Sequence, residues 1–165
     1  MTFWHTLSLF LHLVGIALWL GGIAFFLIVL GPAVHDLNPR AEIQALNQGR
    51  ISLEALSWVG IALLLITGII NLALRSQEMS APQGNFYWIA LSVKLLLFVA
   101  MGVHHGLQVF KYAPKIASLT AQLPPGTDSW PEPLLTSWRK WFVLLKINAA
   151  LGPVVVLLGL ALAKT

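Results

Sequence analysis

Apolar residues crowd four stretches of this chain, and polar residues collect in the three connections between them. The first stretch runs from about Phe3 to Leu30 and ends at Gly31-Pro32. The second runs from about Ser52 to Leu74, the third from about Tyr87 to Phe110, and the fourth from about Trp141 to Ala163. Each reaches the roughly 20 apolar residues that a helix needs to cross a bilayer. The pattern predicts an all-α, integral membrane four-helix bundle, with residues 1–165 forming one transmembrane domain. The first connection holds Asn38-Pro39-Arg40, and its later part, Arg40 to Gly49, is expected to continue as helix into the second span. The second connection, Arg75 to Asn85, is short and holds Pro82 and Gly84. The third, Lys111 to Trp138, contains Pro124-Pro125-Gly126 and Trp130-Pro131-Glu132-Pro133, and those prolines predict a break in the helix. No soluble domain and no internal repeat is visible.

Helical periodicity sorts the residues into faces, because positions about seven apart lie on the same side. His5, His12, Trp19 and Phe26 form one stripe on the first helix. Lys94, Phe98, Met101, His105 and Gln108 form one on the third, with His104 off that stripe. Ser57, Gly60, Thr67 and Asn71 form a weakly polar face on the second helix, and Asn148, Gly152, Val155 and Gly159 share a face on the fourth. Gly102 and Gly106 flank His104-His105 as a small-xxx-small pair, which lets a helix or a flat cofactor approach the backbone closely.

Composition agrees with the membrane reading. The chain is 58% hydrophobic and 10% charged, against roughly 25% charged in a soluble domain. There is no cysteine, which removes disulfides, thiolate metal sites and a cysteine nucleophile. The net charge of +4 lies mostly beside the spans, where topology and anionic lipid account for it. No nucleic-acid motif is present. Arg40, Arg50, Lys111, Lys115, Arg139 and Lys140 lie on the side of the long connections, against Arg75 and Lys164 on the other. This favours the long connections on the inner side and both termini on the outer side of the membrane. Trp4 and Trp88 are then expected near the outer interface, and Trp138 and Trp141 near the inner one. The N-terminus has no basic region ahead of its long apolar run and is expected to stay as a helix.

The candidate chemistry lies in the few ionisable residues at depth, which are costly there and mark functional sites by default. With a rise of about 1.5 Å per residue, His12 and Lys94 fall at one level, roughly 7 Å outside the middle of the bilayer, and His105 about 10 Å inside it. His12 and His105 are thus expected not to clamp one ion or one haem iron. Two haems, one toward each side, would use both. Glu54, Lys146 and Asn148 fall near His105 and are expected either to form a polar cluster or, for Glu54, to be a solvated end residue. Trp19 is a packing residue or a cofactor contact, and Lys94 a counter-charge to an anionic ligand or an outward-reaching side chain.

At these residues the chain resembles a bacterial membrane superfamily that includes the CopD copper-resistance domain and the HemJ-type protoporphyrinogen oxidase. The shared features are Leu11-His12, then Trp19-Leu20-Gly21-Gly22, then Gly31-Pro32-Ala33 at the helix end. Lys94-Leu95-Leu96-Leu97 in the third helix, His104 or His105 near its inner end, and Asn148 early in the fourth complete the likeness. The HemJ type has Trp-Leu-His-x-Lys where this chain has Ala90-Leu91-Ser92-Val93-Lys94, and that missing histidine weighs against porphyrinogen oxidation. The resemblance implies a four-helix bundle with a haem b or porphyrin pocket and His12 as first ligand. The leading expectation is a haem-b-binding redox protein, or an electron-transfer subunit that exchanges electrons with a partner membrane subunit or quinone. Its candidate residues are His12, Lys94, His105, His104, Trp19 and Asn148, with His12 and His105 as metal ligands. Copper handling is the alternative, although copper(I) prefers soft ligands and the chain offers only Met1, Met79 and Met101. A structural subunit without cofactor is the remaining one.

Overall fold

A computed structural model describes residues 3–78 and 84–163. Pro82, Met79 and Lys164, used above for a loop, a soft ligand and a topological charge, lie outside the described residues, as does Met1. The described chain is all-α. Its four long helices are α1 (Phe3–Val34), α2 (Pro39–Glu78), α3 (Asn85–Ala121) and α4 (Glu132–Leu162). All four are long and apolar enough to cross a membrane. Large apolar side chains crowd the outer surface: Phe10, Ile28, Leu96, Phe110 and Leu157 are each more than half exposed. Water would penalise such a surface, and hydrocarbon would not.

Each helix runs past its apolar stretch. Asn38 starts α2 by accepting the Ala41 backbone N–H at 2.9 Å on its side-chain oxygen, with Pro39 at the first helical position, where no N–H is needed. The helix then continues without interruption through Arg40–Gly49, as expected. The third helix does not stop at Phe110. It continues through Pro114 to Ala121, and α4 starts at Glu132, so the third connection shrinks to residues 122–131. Wider π-type turns explain how two prolines are tolerated. One covers Phe26–Leu30, ahead of Pro32, and another covers Gln108–Tyr112, ahead of Pro114. A proline crowds the carbonyl four residues back, here that of Ile28 or Phe110. Each carbonyl lies inside a π-turn, where the helix has already opened. A third π-turn, Ala17–Gly21, holds Trp19 and has no proline to explain it.

The helices pair as two antiparallel hairpins, α1 with α2 and α3 with α4. The α1–α2 contact is close because glycines meet there. A Cβ added at Gly60 would lie 2.9 Å from the Gly15 carbonyl oxygen and 3.0 Å from the Trp19 Cβ. Across the seam between hairpins the backbones approach most closely toward the two described loops, where residues 22–25 meet α4 and α2 meets residues 113–121. Toward the chain ends, long side chains bridge instead. The Trp19 ring lies 5.9 Å from Phe98, Gly152 admits Leu20, and Arg75 of α2 reaches over to donate to the Leu162 carbonyl at 2.8 Å. Arg75 also lies over the Tyr87 ring at 5.3 Å, so it caps the end of α4 while holding the hairpins together.

Gly60→Val is expected to lower stability by about 1–3 kcal/mol through overpacking at the helix contact. Gly21→Ala, with nothing within 4 Å of its added Cβ, is expected to be neutral or slightly stabilising. Thermal unfolding of the two variants in one detergent checks the contrast.

Candidate functional site

The polar residues at depth gather at two levels of the bundle. Toward the chain ends lie Ser8, His12, Thr67, Asn71 and Lys94. The His12 Nδ1 lies 2.7 Å from the Thr67 Oγ1, and the Thr67 hydroxyl donates to the Leu63 carbonyl one turn back. A hydroxyl has one proton. With that proton on the Leu63 oxygen, Thr67 accepts from His12, so His12 carries its proton on Nδ1. Its Nε2 keeps the lone pair and has no partner among the described residues. Lys94 is half-buried and reaches α4, its Nζ 3.1 Å from where a Gly159 Cβ would stand. It makes no ion pair among the described residues. The Asn71 Oδ1 is buried nearby without a partner.

Toward the loops, the histidine pair splits between two neighbours. His104 turns to α4, its Nδ1 3.0 Å from the Asn148 Oδ1. The Asn148 amide nitrogen donates to the Met101 carbonyl at 3.2 Å, so its oxygen is an acceptor and His104 also holds its proton on Nδ1. His105 turns to the seam. Its ring lies 6.5 Å from Trp19 and 5.1 Å from Trp58, edge to face with both. The residue is 4% exposed, and its Nε2 is buried with no hydrogen-bond partner, as is the Trp19 Nε1. Each orphaned polar group costs about 1–3 kcal/mol. The Trp138 Nε1 and Thr120 Oγ1 are orphaned as well, but the His105 and Trp19 atoms belong to two rings that touch. Gly102, less than one turn before His105, has nothing within 4 Å of its added Cβ, so α3 is open beside that ring.

Farther toward the loops a buried ion pair and an aromatic cluster fill the bundle. Arg50 and Glu54 meet at 2.8 Å with side chains 3% and 13% exposed. The Trp141 Nε1 donates to Glu54 at 3.3 Å, and Gln108 donates to the Trp141 carbonyl at 3.1 Å. Trp130, Trp138, Trp141, Phe142 and Phe26 form one chain of edge-on and tilted ring contacts that meets the ion pair at Trp141, and Trp130 donates to Glu42 at 2.8 Å.

The stripes read from the sequence hold many of the buried residues, although His12, Asn71, Lys94, Phe98 and Val155 are only half-buried. Trp19, Phe26, Met101, His105, Gln108, Ser57, Thr67 and Asn148 are all 4% exposed or less. Three expectations change. Glu54 is not a solvated end residue, because Arg50, four positions earlier on the same helix, covers it. Lys146 is exposed and does not join Asn148. Trp138 and Trp141 are each 1% exposed, so they belong to the core and not to an interfacial belt. α4 begins before them, and its own turns carry them inward. Sequence reasoning missed Arg50, Gln108 and Arg75 as structural partners. The Arg50–Glu54 spacing was the available signal for the first.

His12 and His105 are not brought together. His105 meets Trp19, which lies two turns, about 10 Å, from His12 along α1. Among the described residues no group of three or more His, Cys, Asp or Glu side chains is placed to hold a metal ion. No family model, curated protein or solved structure matches the chain.

Ring ¹⁵N spectra are expected to show His12 and His104 protonated on Nδ1 with bare Nε2. Thr67→Val should release His12 into a mixture of tautomers and leave His104 unchanged. A bare Nδ1 on His12 in the parent protein would contradict the hydrogen-bond assignment.

Proposed function

We propose that this protein lies in a bacterial cytoplasmic membrane, with both termini on the periplasmic side, and binds haem b to pass electrons. It would act as a redox protein or as a subunit of a larger membrane complex, with quinone or a neighbouring subunit as its electron partner. The observation that carries this reading is the His105 Nε2, a buried ring nitrogen without a partner. With the ring proton on Nδ1, that nitrogen would present a lone pair, which is what an axial haem ligand offers. His12 supports the same reading at the other level. Metal-ligating histidines usually donate their second ring nitrogen to an acceptor that fixes the tautomer, and Thr67 does this for His12.

The residues present fit such a group at both levels. His12 would hold it toward the chain ends, with Lys94 supplying the positive charge that a propionate needs. His105 would hold it toward the loops. When bound, haem supplies one-electron redox chemistry at a potential set by its ligands and surroundings. The remaining work belongs to the chain. Thr67 keeps the Nδ1 proton in place. Trp19 and Trp58 pack edge to face with the His105 ring, which is 4% exposed. Asn148 holds His104 against α4, which leaves His105 as the ring of the pair that meets the seam.

The hydrogen bonds His12–Thr67 and His104–Asn148 also favour a second reading, a cofactor-free subunit whose polar groups lock helices together. It leaves the orphaned His105 and Trp19 nitrogens unexplained. Copper handling gains nothing from the donor arrangement, and porphyrin oxidation has no further support beyond the resemblance.

His12→Ala and His105→Ala are each expected to remove or strongly shift a separate b-type band in reduced-minus-oxidised spectra of purified protein. His104→Ala should have the smaller effect. Spectra unchanged in both of the first two variants would sink the ligand assignment.

A further inference from the structure

A second polar feature lies away from both histidine levels, between α3 and α4 near the second described loop. Lys111, Tyr112 and Lys115 of α3 and Thr136, Ser137 and Lys140 of α4 line a cavity of about 190 Å³. No carboxylate lines it. None of the three lysines makes an ion pair among the described residues, and the only partner seen for Lys111 is the Tyr112 ring, 5.7 Å from its Nζ. The two hydroxyls on α4 have spent their protons within their own helix, Ser137 on the Pro133 carbonyl at 2.8 Å and Thr136 on Glu132 at 3.4 Å. The donors left to the cavity are therefore three ammonium groups and the Tyr112 phenol. The three lysines are exposed and line this cavity, and an anion among them would offset their mutual repulsion.

The surroundings say which anion. Leu107 and Val103, one and two turns before Lys111 on α3, are exposed, and so is Phe110 beside it, at 74%. On α4, Val143 and Ile147, one and two turns past Lys140, are exposed as well. An apolar strip thus runs from the basic cavity along both helices, and a soluble anion would have no use for it. We propose that this cavity holds the phosphate of an anionic membrane phospholipid, with its acyl chains lying along the α3–α4 strip. Basic pockets between spanning helices take lipid headgroups in this way, and each lysine near the surface adds about fivefold to the affinity. The assignment does not depend on haem binding.

Native mass spectrometry of the full chain in detergent tests it, with phosphatidylglycerol and phosphatidylcholine as probes. The parent protein is expected to retain phosphatidylglycerol about tenfold or more in preference to phosphatidylcholine. K111Q/K140Q should abolish that preference, while K111R/K140R and the equally charged control R40Q/K146Q should keep it. Equal loss in K111Q/K140Q and R40Q/K146Q would mean diffuse charge only and overturn the site. So would a parent protein without headgroup preference. Full displacement of the lipid by millimolar inorganic phosphate would reassign the cavity to a soluble anion and overturn the lipid assignment. The Lys→Arg variant reports on folding as well as binding, since it keeps the charge and the helix.

Discussion

Trp19 is where the two hairpins become one bundle. Its backbone lies against Gly60 of α2, a contact open only because that position has no Cβ. Its ring reaches over the seam to Phe98 and His105 of α3. The π-turn at Ala17–Gly21 occurs at this residue, without the proline that accounts for the other two, and π-turns of this kind often mark functional positions. The His105 environment, the depth at which the seam closes and the separation of the two polar levels all follow from where this indole sits.

A second constraint works alongside it. Polar groups in an apolar bundle must be satisfied by the bundle itself, since hydrocarbon offers no hydrogen bonds. Most are. Thr67 takes the His12 proton, Asn148 takes that of His104, and Arg50 covers Glu54. A buried ion pair is costly to break, because either partner alone would be an uncompensated charge, so Arg50 and Glu54 hold each other inside while Trp141 and Gln108 tie them to α3 and α4. Against that background the unpartnered nitrogens of His105 and Trp19 stand out. Their rings meet at one contact, although the Asn71 Oδ1, Thr120 Oγ1 and Trp138 Nε1 are orphaned elsewhere in the bundle.

The four helices and their buried faces were legible in the sequence because apolar length and helical period are local properties. Seven-residue spacing marked Trp19 and Phe26, and in the third-helix stripe Met101, His105 and Gln108 are buried while Lys94 and Phe98 are half-buried. Helix ends were less legible. Lys111 and Pro114 look like a terminator, and only the π-turn ahead of Pro114 shows how the helix continues. Pairing was the least legible part. That His104 and His105 would part toward α4 and toward the seam depends on which helices adjoin α3, and spacing within one helix does not contain that. The same holds for Arg75, a topological charge in the sequence and a clamp between hairpins in the fold. The lysines of the basic cavity were visible as inside charges, but their convergence needed both helices in place.

We propose that the ring nitrogens of His12 and His105 bind haem iron. A pyridine haemochrome assay on the full chain, expressed with adequate haem and purified in detergent, tests it most directly. The account predicts b-type haem at one or more per chain. A colourless, folded protein with no haem would contradict it, and would leave the histidines as locks between helices.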